Sequence, residues 1–314
     1  MSLNPEIREF LERYAAAAAA LPNEPLTLAK LREYFTFTWS TDCLETVGSN
    51  ENRTIPGPAG ELPVRIYTPE KEGPHPVLVF YHGGGFVLGG LDSHDSICRM
   101  ITNDAEVIVV SVDYRLAPEH PFPAAVEDAW AALEWVAQAA AEGRLNADPS
   151  RIAVGGDSAG GNLSAVMTRL SKERGGPSLA HQLLIYPAVS LDFSTLFPSM
   201  EENAEGYLLT LDSIRWFYSQ YLRSGEDALD TSASPLLAAD LSGLPPATVI
   251  TAQYDPLRDE GEAYAKRLQE AGVAVEYKCC EGMIHQFFNL AYDNEDARSV
   301  IREAAAALKA SFHS

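Results

Sequence analysis

The chain has 314 residues, of which 46% are hydrophobic and 21% charged, a composition typical of a folded globular protein rather than a disordered one. Its formal net charge of −21 disfavours nucleic-acid phosphates and anionic lipid surfaces as partners and favours a neutral small molecule. The length is large for one domain, but a single α/β core with insertions reaches it.

The cysteines and the N-terminus bear on the cellular compartment. Cys43, Cys98, Cys279 and Cys280 show no C-x-x-C spacing, which disfavours a zinc site and a disulfide framework and favours a role as small buried hydrophobes. Charged residues interrupt the segment before the alanine run at 15–20, and no apolar window approaches the length of a membrane span. We therefore expect a cytoplasmic protein without stable membrane association.

The first part of the chain is predicted to hold two helices and a hairpin region. Apolar residues recur with helical spacing over 4–20 and, more weakly, over 26–38. From 44 to 68, β-type runs are separated by Pro and Gly residues, a pattern that predicts antiparallel hairpins at the edge of a sheet.

Short apolar runs then alternate with helical stretches. Five runs are nearly continuous, which predicts parallel strands buried on both faces: 77–81, 107–112, 152–154, 183–186 and 248–251. The helical stretches between them include 123–142, 161–173 and 260–271. The alternation predicts a mostly parallel, doubly wound α/β sheet flanked by helices, in which ligands bind beyond the carboxyl ends of the strands.

Residues 190–225 break this alternation. Thr210 is placed to cap a helix whose apolar face carries Ile214, Phe217, Tyr218 and Tyr221. Ordinary core packing explains such a face, but a second interpretation is that it covers the strand ends.

We adopt the second interpretation for the domain organisation. Residues 1–45 and 190–225 are both apolar and outside the sheet, so we predict that together they form a helical cap. The two parts of the core then cover 46–189 and 226–314. Phe35 and Trp39 join Phe217 and Tyr218 as predicted pocket-lining aromatic residues.

A serine between glycines lies at the junction of a strand and a helix. The segment Gly156-Asp157-Ser158-Ala159-Gly160 follows the apolar run at 151–154 and precedes a stretch with helical spacing. Ser158 is therefore predicted to lie on a tight strand-to-helix turn, which needs small residues at its flanks. A glycine-rich turn that merely opens a helix has the same pattern, so the partners of Ser158 must decide.

A serine hydroxyl needs a base to become a nucleophile, and the base needs an orienting acid. On a turn of this kind the chain order is serine, acid, histidine. Of the histidines after Ser158, His313 is next to the chain end and His181 leads into a strand at the wrong end of the sheet. His285 remains as the candidate base, in a predicted glycine-opened loop after a strand at 273–277.

The candidate acid is Asp255, which follows the strand ending near residue 251. Asp259 and Glu260 are alternatives, but they fit better in the first turn of the next helix, where negative charge complements the helix dipole. Acyl transfer also needs donors for an oxyanion. The backbone N–H of Ala159 and the glycine run in His82-Gly83-Gly84-Gly85-Phe86 can supply them, although a flexible turn would have the same sequence.

Taken together, these segments resemble the hormone-sensitive-lipase-like carboxylesterases, the bacterial family IV group of the α/β-hydrolase fold. The resemblance rests on five segments in the family's order: His82-Gly83-Gly84-Gly85-Phe86, Asp113-Tyr114-Arg115-Leu116-Ala117-Pro118-Glu119, Gly156-Asp157-Ser158-Ala159-Gly160-Gly161-Asn162, Asp255-Pro256-Leu257-Arg258-Asp259-Glu260 and Gly282-Met283-Ile284-His285.

The resemblance implies hydrolysis of short- to medium-chain acyl esters through an acyl-enzyme, without cofactor or metal. It implies Ser158 as nucleophile, His285 as general base and acid, and Asp255 as the orienting carboxylate. It further implies an oxyanion hole formed by Gly84, Gly85 and Ala159, with Gly83 as an additional candidate.

Further predictions concern residues near the candidate site and the oligomeric state. Asp157 is predicted to fix the turn rather than act as the triad acid, and Glu119 to anchor its loop. Gln286 replaces the glycine that family members commonly have after the histidine, so we expect a shift in rate or specificity. By analogy with the family, a homodimer forms through the sheet edge at 273–279.

Other functions on the same scaffold are a small-molecule receptor, an amide hydrolase, a deacetylase and a true lipase. The related plant gibberellin receptors lack the catalytic histidine, so the presence of His285 disfavours the receptor.

Overall fold

The structure is a computed structural model that describes residues 2–20, 27–39, 44–194 and 196–313, with the backbone only at 37–39. Its described strands are β1 (Ser49–Gly57), β2 (Gly60–Thr68), β3 (His75–Tyr81), β4 (Ile108–Val112), β5 (Ala147–Asp157), β6 (His181–Ile185), β7 (Ala247–Tyr254) and β8 (Val275–Ile284). They form one sheet in the order β1-β2-β4-β3-β5-β6-β7-β8.

Most of the sheet is parallel. The hairpin of β1 and β2 lies at one edge, and β2 pairs antiparallel with β4. All pairs from β4 through β8 are parallel. The predicted edge hairpin and the predicted parallel sheet are both confirmed.

Helices flank the sheet and connect its parallel strands. In the described chain they are α1 (Pro5–Ala19), α2 (Leu28–Trp39), α3 (Asp95–Ala105), α4 (Ala124–Ala141), α5 (Ala159–Arg174), α6 (Pro198–Glu202), α7 (Leu211–Tyr221), α8 (Arg258–Glu270) and α9 (Glu295–Ser311). Short 3₁₀ turns lie at Asp227–Leu229, Pro235–Leu237 and Phe287–Leu290.

The central strands are buried on both faces, as their continuous apolar runs predict. In β3, Val77 and Val79 belong to the hydrophobic cluster that includes α4 and α5, whereas Leu78 and Phe80 belong to the cluster that includes α3 and α9. Burying one such side chain stabilises the fold by about 1.5–3 kcal/mol. This alternation holds a helical layer on each face of the sheet.

The last strand differs from its prediction. The sequence indicated a strand at 273–277 followed by a glycine-opened loop, but β8 runs from Val275 through Ile284. Gly282, with a φ of 73°, lies inside the strand, near an irregularity in its pairing with β7 between Ala252 and Tyr254. The glycine therefore bends the strand instead of ending it.

The N-terminal helices are tied to the core by polar contacts. The backbone of Asn4, which caps α1, donates to the carbonyl of Gly282 at 3.1 Å. On α2, the Arg32 guanidinium donates to the carbonyls of Val87 and Ala117, both at 2.9 Å, and forms a bidentate pair with Glu119. Such fork-shaped pairs are geometrically specific, so α2 is held in one orientation over the loops after β3 and β4.

Two composition-based expectations can be compared with the described residues. Cys98 and Cys280 are buried and Cys279 is half-buried, whereas Cys43 lies outside the described part of the chain. Within that part, none of the helices combines the length and apolar character needed to cross a bilayer.

A carboxyl group is buried where α8 meets the segment after β6. Glu260 is in the first turn of α8, as expected, but it is fully buried, and its Oε1 accepts from the backbone N–H of Val189 at 2.6 Å and of Ser190 at 3.3 Å. Burial, with a smaller contribution from the charge of Asp255, raises the pKa of Glu260 to about 8 despite the lowering effect of these two donors.

This raised pKa predicts a loss of stability at alkaline pH. The folded chain keeps the Glu260 proton above the ordinary pKa of 4.5, so the stability gained from it is complete below that pH and is lost as the pH rises through about 8. We expect the melting temperature to fall between about pH 6 and pH 9 by several degrees more in the wild type than in Glu260→Gln, which keeps the acceptor oxygen.

Glu270→Gln, at the exposed end of the same helix, is the matched control and should behave as the wild type. Equal pH dependence of the melting temperature in the wild type and Glu260→Gln would refute this account.

Candidate active site

Three side chains meet where parallel strands end. Ser158 follows β5, Asp255 follows β7 and His285 follows β8. These strands run in the same direction in the order β5-β6-β7-β8, so their carboxyl ends lie along one edge of the sheet. The site is therefore at the edge where α/β sheets bind ligands.

Ser158 lies on the tight turn between β5 and α5. Its φ of 56° and ψ of −116° are strained for a residue with a side chain, a conformation that presents the hydroxyl outward from the turn. A Cβ at Gly156 or at Gly160 would collide with the carbonyl oxygen of Tyr81 at the end of β3. The flanking glycines are thus required by the approach of this turn to β3.

Hydrogen bonds connect the three side chains in one line. His285 Nε2 lies 2.9 Å from Ser158 Oγ, and His285 Nδ1 lies 2.7 Å from Asp255 Oδ2. A carboxylate only accepts, so Nδ1 carries the proton and Nε2 is left to accept from the serine hydroxyl. All three residues are at least nine-tenths buried. This arrangement can transfer the hydroxyl proton to the imidazole and stabilise the resulting imidazolium.

One further contact each orients the acid and the base. Asp255 Oδ1 accepts from the backbone N–H of Leu257 at 2.8 Å, so both carboxylate oxygens are bound. The ring of Tyr186 packs against the imidazole of His285, with centroids 4.8 Å apart. Rotation of either catalytic candidate would break one of these contacts.

The alternative acids and bases lie elsewhere. Asp259 accepts from the backbone N–H of Ser199 at 2.9 Å and pairs with Arg258. His181 begins β6 at the opposite end of the sheet, where its Nε2 lies 3.0 Å from the hydroxyl of Thr248.

The glycine loop after β3 borders the same space. Gly84 and Gly85 have φ values of 116° and 63°, which favour glycine, and both line the cavity that contains Ser158 and Ala159. Among the described residues, no acceptor is found for the backbone N–H groups of Gly84, Gly85 or Ala159. Gly83, the additional candidate, instead donates its N–H to Asp157 Oδ1 at 2.8 Å.

Asp157 links the serine turn to this loop. Its buried carboxylate accepts from Gly83 and lies 3.2 Å from His94 Nε2. Burial alone would raise the pKa of Asp157, but His94 and the Gly83 N–H bring it below its ordinary value. Burial lowers the pKa of the neighbouring His82 to about 3, so His82 is neutral. Its ring stacks on that of Tyr114. No motif in the sequence indicated His94, whose role is visible only from its contact with Asp157.

A cavity of about 410 Å³ contains the site, a size typical of small-molecule pockets. The N-terminal helices contribute Tyr14, Leu31, Tyr34 and Phe35 to its walls. The segment at 190–225 contributes Leu208, Leu209, Ile214, Trp216, Phe217 and Tyr218. Three of the aromatic residues predicted to line a pocket thus do so, whereas the side chain of Trp39 lies outside the described residues.

The helix at 211–221 begins as its sequence predicts. The hydroxyl of Thr210 caps it by accepting from the backbone N–H of Ser213 at 3.1 Å. Ile214, Tyr218 and Tyr221 are buried on one face, and the half-buried Phe217 packs against Gly85. In the described part of the chain, no cluster of three or more His, Cys, Asp or Glu side chains is arranged to hold a metal ion.

Sequence comparisons identify relatives of known type. Carboxylic ester hydrolase LipN of Mycobacterium tuberculosis is 50% identical over 262 residues, which are 82% of this chain and 69% of that protein. Carboxylesterase NlhH of the same species is 43% identical over 316 residues, or 99% of this chain and 97% of that protein.

Structural comparison and a family profile agree with these relatives. The hyperthermophilic esterase of the archaeon Pyrobaculum calidifontis superposes with a TM-score of 0.91 at 43% identity, covering 99% of both chains. The profile described as alpha/beta hydrolase fold matches residues 78–289, which include all three hydrogen-bonded side chains. This chain therefore belongs to the hormone-sensitive-lipase-like family of α/β hydrolases.

Proposed function

We propose that this chain, a carboxylic ester hydrolase by its family and relatives, cleaves short- to medium-chain acyl esters through a triad of Ser158, His285 and Asp255. The observation that carries the proposal is the unbroken hydrogen-bonded line from Ser158 Oγ through the imidazole of His285 to Asp255 Oδ2. A receptor that only binds its ligand does not need these three side chains to be hydrogen-bonded to one another.

The reaction proceeds in two halves. Ser158 Oγ attacks the ester carbonyl carbon while His285 Nε2 takes the hydroxyl proton, and Asp255 stabilises the imidazolium. The imidazolium then gives its proton to the departing alcohol oxygen, which leaves an acyl-enzyme on Ser158. Water, deprotonated by the same nitrogen, attacks the acyl carbon. The bond from this carbon to Ser158 Oγ then breaks, Oγ takes the proton from His285, and the acid is released.

The oxyanion of each tetrahedral intermediate is bound by three backbone N–H groups, those of Gly84, Gly85 and Ala159. Their lack of an acceptor among the described residues supports this role. Ala159 is also the first residue of α5, where the helix dipole favours negative charge. A single such donor is worth about 3–4 kcal/mol to the transition state.

The residues at 1–45 and 190–225 form the cap of this enzyme, between the core segments at 46–189 and 226–314. Their side chains form the apolar walls of the cavity, which supports a neutral acyl chain as the group bound there. The cytoplasmic location and the homodimer through the edge of β8 remain predictions.

Removal of the nucleophile tests the proposal. We expect a series of p-nitrophenyl esters from acetate to palmitate to show a maximum at short or medium acyl chains in the wild type. In Ser158→Ala, kcat should fall by about four to six orders of magnitude across the series.

Ser164→Ala is the control, because Ser164 is a buried serine one turn along α5 whose hydroxyl only bonds the carbonyl of Gly160. Full activity in Ser158→Ala, or none in a folded wild type, would refute the proposed triad.

The orienting carboxylate is tested by Asp255→Asn, which keeps the shape of the side chain. An amide donates where the carboxylate accepts, so it favours the tautomer of His285 that cannot take the serine proton. We expect kcat to fall by about three to four orders of magnitude with a much smaller change in KM. Unchanged kcat would assign the orienting role to another group.

Phe217 limits the space beside the oxyanion donors, because its ring occupies the position that a Cβ of Gly85 would need. In Phe217→Ala we expect the acyl-chain optimum to move to longer esters, with each added methylene that becomes buried raising kcat/KM by a factor of about four. Leu229→Ala, an exposed leucine outside the cavity, should leave the optimum unchanged. An unchanged optimum in Phe217→Ala would show that another wall limits chain length.

A further inference from the structure

Gln286, next to His285, is a polar side chain that the proposed mechanism does not use. It lines the catalytic cavity and is only 8% exposed. Among the described residues, its carboxamide has no hydrogen-bond partner, and neither amide atom is among the completely buried atoms that lack one, so both amide atoms keep some accessible surface. Since the residue lines the cavity, this amide is available to a molecule bound there.

The backbone conformation of Gln286 is one that favours glycine. Gln286 has a φ of 65° and a ψ of 19°, in the left-handed region. Its amide makes no hydrogen bond to a described residue, so its donor and its acceptor are both free to bind another molecule. No hydrogen bond of this side chain within the described protein offsets the cost of the left-handed backbone, so we expect its contact to be with a molecule in the cavity.

The hydroxyl of Tyr218, on the same cavity wall, also lacks a partner in the described chain but is completely buried, whereas two other polar residues of the wall already have partners. The hydroxyl of Ser213 lies 2.8 Å from the hydroxyl of Thr210, and the carboxylate of Asp212 pairs with Arg215 at 3.2 Å. Each of these two side chains therefore has a partner within the protein. Gln286 offers both a donor and an acceptor to a ligand.

The position of Gln286 relative to the reaction indicates which half of the ester it meets. The alcohol oxygen leaves toward His285 Nε2, from which it receives its proton, and Gln286 directly follows His285. The oxyanion donors come from other elements, the loop after β3 and the start of α5. The wall that contains Gln286 is therefore next to the alcohol half of the ester.

We propose that the Gln286 carboxamide hydrogen-bonds an ether or hydroxyl oxygen in the alcohol half of the substrate. This inference rests on the proposed function and narrows its substrate class to esters of hydroxylated or alkoxylated alcohols, such as glycol or glycerol monoesters. Gln286 is thus a specificity residue, and the reaction steps remain those of the triad.

The test compares two esters of equal length, methoxyethyl acetate and butyl acetate, in the wild type and Gln286→Met. Methionine keeps the length of the side chain and removes its amide. The measured quantity is the ratio of kcat/KM for the two esters, and its change between proteins cancels their difference in intrinsic reactivity. We expect the ratio to fall by about two- to tenfold in Gln286→Met, the value of one neutral hydrogen bond.

Two further variants complete the design. Gln286→Gly suits the left-handed backbone, so it should fold with a melting temperature no lower than that of Gln286→Met and show the same fall in the ratio. Gln269→Met makes the same substitution at an exposed glutamine of α8 that does not line the cavity, and its ratio should equal that of the wild type.

Three outcomes would overturn the inference. An unchanged ratio in both Gln286 variants, with an active wild type, would reject it and leave the proposed function intact. A change confined to a pair that differs in the acyl half, ethyl methoxypropionate and ethyl pentanoate, would reject the assignment to the alcohol half. A folded wild type that hydrolyses neither acetate would reject the inference and the proposed function together.

Discussion

The site depends on one close approach of backbone to backbone, that of the turn after β5 to the end of β3. The carbonyl oxygen of Tyr81 occupies the space that a Cβ at Gly156 or Gly160 would need, so only glycine permits the contact. With the turn in this place, the carboxylate of Asp157 reaches the N–H of Gly83. The same contact thus positions the strained Ser158 and, through Asp157, the loop that supplies Gly84 and Gly85.

Chemistry and specificity are divided between different parts of the molecule. The hydrogen-bonded side chains and the glycine loop follow strands of a sheet that is buried on both faces, which limits their movement. The walls of the cavity come largely from helices outside the sheet, through residues such as Phe35 and Phe217. Changes in those walls can alter which ester binds without moving the hydrogen-bonded side chains. Gln286 differs from these wall residues because it follows a core strand.

The sequence predicted more of the site than of its surroundings. Ser158 and its flanking glycines, the order of Ser158, Asp255 and His285, and the glycine run after β3 are local patterns, and local patterns are visible in a sequence. The continuation of β8 to Ile284 was missed because Gly282 is typical of a loop, whereas pairing with β7 keeps this stretch extended. His94 was missed because only its contact with Asp157, distant along the chain, gives it a role.

The sequence by itself determined the succession of strands and helices, the strand-to-helix turn at Ser158 and the family to which the chain belongs, because each follows from residue types at short spacing. The tertiary structure alone decided that His285, 127 residues beyond Ser158, lies 2.9 Å from it. It also decided that Glu260 is buried as a carboxyl group of raised pKa and that Gln286 faces the cavity without a partner. These facts depend on which strands are neighbours and on which side chains are buried away from water. Spacing along the chain specifies neither.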